Sequence, residues 1–476
     1  MQRSGAGGHD AQRVRLPVLL AWCAPGLPVA ALGLPLVVYL PPHYAGTLGL
    51  PLATVGLLFA LVRILDIPLD PIFGTLMDNV RTRFGQFRPW VVAGGLFLVA
   101  GVMMLFFARP GVTASATFLS LFVLYIGLSF VNLAQVSWGS RLSADYAERA
   151  RIFGFWTAFN VVGTMAVLFV PPALELARPG ASPTEAVHAM GWFVAAMVVP
   201  CVLAAALVVP EGRSPAPPRR IRMAELAALL ADRRMVRLLA VDLLLAVAPG
   251  LTGALFVFFF TAARGLSAAV ASGILLFYFL AGLAAAPAWI RLARRFGKHR
   301  ATALAAAWFG VALLGVLVVP AEPLWVPAAA MAIAGIPFAA PAFLLRAMMA
   351  DLVDAQALDR AAAGKPETET TGLAFAILTA TAKLGYAIPV AFTYPLLGLL
   401  GFDPAPGAAN TPEAIRGLEI LFVVPGVILS ASAAVLIWRW PITAEAHARI
   451  REQLAASPPQ RPPARPGEPP AEARAT

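Results

Sequence analysis

The chain has 476 residues, of which 59% are hydrophobic and 13% charged, with a mean hydropathy of +0.78 and a formal net charge of +11. A composition this apolar excludes a soluble globular protein, and two cysteines exclude a disulfide framework or a cysteine-spaced zinc site. The histidines at 9, 43, 188, 299 and 447 are scattered, none at metal-ligand spacing and none beside a Ser or Cys nucleophile, so the sequence reads as no enzyme.

Residues 1–16 form a polar, basic tail, and no small-residue cleavage site follows the first apolar run. That run therefore reads as a first helix rather than a removed signal peptide. Runs long enough to cross about 30 Å of hydrocarbon recur at roughly 17–39, 51–77, 90–108, 115–138, 152–174, 190–210, 237–262, 268–290, 301–320, 324–349, 371–400 and 417–438. Helices satisfy their own backbone in lipid, so the expectation is an all-α membrane protein of twelve transmembrane helices. They divide into two six-helix bundles, 17–210 and 237–440, joined by a cytoplasmic linker at 211–236 and followed by a Pro-rich disordered tail at 441–476. Within the linker, residues 223–234 look amphipathic and suit the inner headgroups.

In the second run, Arg63, Asp66 and Asp70 are the only ionisable residues between Pro51 and Met77, and helical spacing puts all three on one face. A charge near the bilayer centre costs roughly 2.5–3.5 kcal/mol on insertion scales, so such a cluster is read as a functional site. Two acids against one base leave a carboxylate free for a proton or a metal ion; the rival reading is a salt bridge that only locks helices together. Gly74 continues the same face toward Asp78, where glycine would permit close approach of a neighbouring helix.

Charge also orients the chain. With both termini cytoplasmic, every Lys and Arg falls on the inside except Arg109, Arg178, Arg264 and Arg416 in outside loops and Arg63 and Lys383 within helices. Basic residues at the inner face meet anionic headgroups, which explains the net charge without nucleic acid. The halves repeat a signature: Phe84-Gly85-Gln86-Phe87-Arg88 follows the second run and Phe296-Gly297-Lys298-His299-Arg300 the eighth. Matching turns at equivalent positions imply a duplicated bundle, and parallel six-helix repeats are the architecture of the major facilitator superfamily. Gly74, Asp78 and Arg81 resemble that superfamily's cytoplasmic gate motif, which Gly85 and Arg88 extend.

Taken in order, the motifs resemble the glycoside–pentoside–hexuronide:cation symporter family, of which melibiose permease is a member. They are Arg63-Ile-Leu-Asp66-Ile-Pro-Leu-Asp70-Pro-Ile-Phe-Gly74, Asp145-Tyr-Ala-Glu148-Arg149-Ala-Arg151, Met349-Ala-Asp351-Leu-Val-Asp354 and Thr379-Ala-Thr-Ala-Lys383-Leu-Gly385. The resemblance implies a sodium-, lithium- or proton-coupled importer working by alternating access. Asp66 and Asp70, with Arg63 beside them, match the cation-coupling acids and would hold any Na+; Lys383 matches a lysine between the cation and sugar sites.

Several family positions differ. Leu69 stands where an asparagine is expected between the acids, which removes a neutral oxygen ligand for sodium. The first helix holds no acid, Ala134 replaces another, and the helix 5 arginine falls near Thr157. Sugar recognition needs dense polar contacts, because an unpaired buried group costs about 1–3 kcal/mol. Asn132, Gln135 and Trp138 are offered as cavity residues, with helix packing an equal reading; Asn160 and Asp242 stand the same way, and Arg237 is a partner available to Asp242. Tyr39 and Trp325 read as interfacial anchors. The expected protein is an inner-membrane symporter of a sugar-like or other small organic solute, needing no cofactor beyond H+ or Na+. Its partners are that small molecule and membrane lipids, with no nucleic acid, and the chain is expected to be a monomer. The alternatives are a proton-driven exporter of amphipathic or lipid-like compounds and a non-transporting scaffold or sensor.

Overall fold

The computed structural model describes residues 13–80, 82–143, 145–211, 223–363 and 371–456. Among these, twelve helices are long and apolar enough to cross a membrane: α1 (Leu16–Thr47), α2 (Leu52–Met77), α3 (Arg88–Phe106), α4 (Ala114–Arg141), α5 (Arg151–Ala177) and α6 (Pro183–Val208), then α7 (Arg233–Ala263), α8 (Ala268–Phe296), α9 (Lys298–Leu317), α10 (Trp325–Ala362), α11 (Thr371–Leu399) and α12 (Pro412–Trp438). Several run longer than hydropathy alone suggests. The chain carries α1 past Tyr39 through Pro41 and Pro42 in wide helical turns, and α10 reaches Ala362 after a break at 336–339.

Where a side chain caps a helix start, its chemistry differs between the two ends of the molecule. At the end away from the Arg-rich loops, neutral hydroxyls cap α4, α6, α8 and α12: Thr113, Ser182, Ser267 and Thr411 each accept from a backbone N–H three residues on. At the basic end the caps are carboxylates, Asp145 before Glu148 and Asp232 before Arg234.

Packing shows the duplication more clearly than the short sequence signature does. In the first bundle α1 packs on α5 and α6, α2 on α4, and α3 on α4 and α6. In the second, α7 packs on α11 and α12, α8 on α10, and α9 on α10 and α12, the same pairs advanced by six. The bundles meet through α2 with α11, α5 with α8, and α1 with α7. The paired signature turns match in backbone too: Gly85 has φ 120° and Gly297 φ 91°, a region that favours glycine.

The bundles touch most closely near the end away from the basic loops. A Cβ at Gly56 would lie 2.9 Å from the carbonyl oxygen of Val390, and one at Gly398 3.8 Å from Leu52 Cβ. Nearer the basic end a Cβ at Gly74 or Gly372 would meet no atom within 4 Å. Close helix approach at Gly74 is therefore absent, contrary to the sequence expectation, because α2 there faces open space.

Two other expectations change. Tyr39 is buried in the core of α1 rather than anchored at an interface, whereas Trp325 is exposed at the start of α10. The segment read as a disordered tail begins with a helix, Ala444–Ala456, whose His447 Nε2 lies 3.0 Å from Asp354 Oδ2; 457–476 fall outside the described residues. Of the linker, Met223–Leu230 is helical.

Candidate functional site: an ion cluster between the bundles

The acids of α2 lie on a helix interrupted by Pro68 and Pro71, which lack the N–H groups that would bond the carbonyls of Ile64 and Ile67. Opposite them, α11 brings Lys383 across from the second bundle. Its Nζ donates to Asp66 Oδ2 at 2.6 Å and to Asp70 Oδ2. From α4, Ser129 Oγ lies 2.6 Å from Asp66 Oδ1 and 2.8 Å from Asp70 Oδ1. Each carboxylate thus spends one oxygen on the ammonium and one on the hydroxyl. Asp66 and Ser129 are buried, while Lys383 keeps 28% of its side chain accessible.

Ser129 was not singled out in the sequence. A lone hydroxyl in an apolar helix commonly bonds its own preceding turn, as Thr117 and Ser120 do here. The available signal was its place on one face of α4 with Tyr125 and Asn132.

Arg63 stands apart from its neighbours. No carboxylate among the described residues lies within 4.0 Å of it. Its guanidinium carbon sits 5.5 Å from the ring centroid of Tyr125 on α4 and 5.6 Å from that of Tyr386 on α11.

The remaining candidates divide. Gln135 is 1% exposed and fully engaged: its Nε2 donates to the Trp22 carbonyl at 2.8 Å, and its Oε1 accepts from Trp156 Nε1 at 3.4 Å. Trp138 is buried and donates to the Pro210 carbonyl at 3.1 Å. Both belong to helix packing in the first bundle, one of the two readings the sequence left open. Asn132 is half-buried. Asp242 does not pair with Arg237, whose Nε donates to the Leu436 carbonyl, and Asp242 Oδ2 is buried without a hydrogen-bond partner.

The loop motif is tied down within the first bundle. Glu211, at the exit of α6, accepts from the backbone N–H groups of Gln86, Phe87 (3.0 Å) and Arg88 (2.6 Å), and Arg88 Nη2 donates to the Val209 carbonyl at 2.7 Å. A carboxylate at the start of α3 suits the positive end of that helix. Asp78 lies in the last turn of the helix that continues α2 to Asn79, and Arg81 lies outside the described residues. Glu148 pairs with Arg151 at 2.6 Å, which holds its carboxyl below the usual glutamate range. In the second bundle Lys298 pairs with Asp351 at 2.7 Å.

A family model described as MFS/sugar transport protein matches residues 22–444. An uncharacterized symporter of Bacillus subtilis (strain 168), YjmB, is 22% identical over 88% of this chain and 90% of its own length. A lactose permease of Lactobacillus helveticus is 33% identical over 30% of this chain. The chain covers only 24% of that permease and 33% of a second Bacillus subtilis symporter, YnaJ. In fold it resembles a crystal structure of the nucleoside transporter NupG, with a TM-score of 0.65 and 13% identity over 88% of this chain and 99% of the other.

Proposed function

This chain belongs to the MFS/sugar transport protein family, and we propose that it is a cation-coupled symporter moving a small organic solute by alternating access. The observation that carries the reading is the clasp of Lys383 on Asp66 and Asp70, since it joins the two bundles through charge in the membrane interior. A buried ion pair is costly to desolvate and contributes little net stability, so a purely structural tie would be poorly served by it. A cation arriving at the carboxylates weakens their hold on Lys383, and the bundles can then rock about the site.

Proton chemistry supports the finer choice of ion. Ser129 owns a single hydroxyl proton yet faces one oxygen of each carboxylate. It can donate fully to only one; the other contact is satisfied when that carboxyl carries a proton and donates to Ser129 Oγ. Leu69, at the position between the acids, supplies no oxygen for sodium.

The solute is sugar-like or another small organic molecule. A less polar amphiphile, and with it the exporter reading, is favoured by one observation: the positions departing from the sugar-binding pattern offer no free polar group. Ala134 is fully buried, and the Thr157 hydroxyl donates to its own helix at the Phe153 carbonyl, 2.9 Å away. The basic-loop end is the cytoplasmic face of a bacterial-type inner membrane, with both termini inside.

The test is uptake of a solute panel into vesicles under imposed proton and sodium gradients. Gradient-driven uptake that collapses in Asp70→Asn and Asp66→Asn is expected. Uptake that persists unchanged in both variants removes the coupling role, and no movement of any solute in either direction removes the transporter.

A further inference from the structure

We infer that Asp242 of α7 is a second proton carrier, separate from the clasp, and that Arg346 of α10 takes the proton's place against the carboxylate when it leaves. The inference rests on the transport reading above and extends it, since an acid in each bundle then moves a proton with the solute.

Asp242 is the only ionisable residue between Arg237 and Arg264, and an acid inside a membrane span is expensive enough to imply a function. Among the described residues no Lys, Arg or His nitrogen lies within 4.0 Å of it, and its Oδ2 is buried without a hydrogen-bond donor. Other acids of the helices do not stand this way: Asp66 and Asp70 share Lys383, and Asp351 holds Lys298. A carboxylate oxygen buried with neither donor nor cation is costly. A proton on the carboxyl removes the charge, and an arriving cation compensates it. Asp242 is only half-buried, so both can reach it.

Arg346 is that cation. It lies on α10, which packs on α7, about one and a half turns deeper than the Lys298–Asp351 pair. Its field reaches Asp242. It is exposed and has no carboxylate within 4.0 Å among the described residues, so no ion pair holds it in place. Tyr386 of α11 lies in the fields of Asp242, Arg346 and Arg63 of the first bundle and is 48% exposed. The pair therefore borders the open space between the bundles.

The other elements packed on α7 supply no rival. α11 adds Lys383, which the clasp holds, and α8 adds Tyr278. α12 has no ionisable residue between Glu419 and Arg439, and Glu419 is taken by Arg264. α1, with Tyr39 and His43, meets α7 at Gly253, about three turns further out. The helix Met223–Leu230, which carries Glu225, packs at the start of α7.

The exchange gives the second bundle a two-state contact of its own. With the proton on, Asp242 is neutral and Arg346 stands free. When the proton passes to the water of the open side, Arg346 closes on the carboxylate and ties α10 to α7. A coupled ion can shift a conformational equilibrium only by changing a contact in this way.

The full chain is purified, and its protonated carboxyls are followed by infrared difference spectroscopy as pH is stepped, with the proton as the only ligand. A titrating carboxyl band should vanish in Asp242→Asn and persist in the double variant Asp66→Asn with Asp70→Asn. Arg346→Gln removes the competing cation and should tighten proton binding at that band about ten-fold, whereas Arg346→Lys should stay near the parent. The Arg346→Gln shift decides the case even where Asp242→Asn fails to fold. In liposomes, uptake of labelled glucose and xylose should depend on proton concentration with an order lower by one in Asp242→Asn than in the parent. A band that survives Asp242→Asn, a band that ignores Arg346→Gln, or an unchanged proton order would each overturn the second carrier while leaving the clasp and the transporter standing. Failure of both sugars to enter under any gradient would count against the transport reading and the carrier role together, whatever the band does.

Discussion

Two carboxylates that share an ammonium and a hydroxyl depend on both, and the two dependences separate experimentally. Ser129→Ala removes the acceptor for the hydrogen bond that a protonated carboxyl donates to Oγ, worth about 0.5–1.5 kcal/mol, so the half-saturating proton concentration in uptake should rise roughly two- to ten-fold. Lys383→Met strands two neighbouring like charges, Asp66 buried and Asp70 half-buried, and should cost about 3 kcal/mol of stability, measured as a lower Tm in detergent; adding Asp70→Asn should recover part of it. A Lys383→Met variant as stable as the parent would mean that the clasp is not formed. The ionisable members of this cluster were legible in the sequence, because Asp66, Asp70 and Lys383 interrupt apolar runs where charge is expensive. Ser129 was not, since hydroxyls in such runs are cheap and common. Gln135 and Trp138 carry polar atoms like cavity residues, but their partners, Trp22 and Pro210, are set by tertiary packing no local pattern encodes.

At the level of helices, glycine marks both tight contact and open space, and composition alone does not tell them apart. On α3 a Cβ at Gly101 would lie 2.7 Å from Leu124 Cα of α4, so Gly101→Val should overpack the pair and lower stability by about 1–3 kcal/mol. Gly74→Ala meets nothing and, inside a helix, should leave stability unchanged or raise it by up to about 1 kcal/mol. Parallel Tm measurements on the two variants check both; equal losses would contradict the open face of α2. The twelve helices and their two sixes were readable from hydropathy and the repeated Phe-Gly turns. Their ends were less so: α10 extends to Ala362 because polar residues there pair within the bundle, Gln356 donating to Asp232. The helix at Ala444–Ala456 is held by His447 and Asp354, ninety-three positions apart, a contact that tail composition cannot announce.

Across the whole molecule, the bundles are joined on one side and separable on the other, which chemistry can fix in place. The Cβ separation of 3.8 Å between positions 52 and 398 is that of a relaxed disulfide. Leu52→Cys with Gly398→Cys, built in a background lacking Cys23 and Cys201, should cross-link on oxidation and arrest uptake, with recovery on reduction. The basic end responds to acid instead. Arg151 holds Glu148 low, so this pairing contributes above the ordinary glutamate range and is lost as pH falls through the lowered value. Glu148→Gln, a mimic of the protonated group, should therefore have a lower Tm than the parent at neutral pH and converge with it in strong acid. The clasp between α2 and α11 also bears on how the chain is made. Lys383 follows Asp66 by 317 positions and Asp70 by 313, so at ribosomal speed α2 waits roughly a quarter of a minute to a minute for its counter-charge. Through that interval two acids must be housed in lipid, protonated or leaning on Arg63, and a nascent chain stalled before α11 would hold α2 at the membrane with nothing to anchor it.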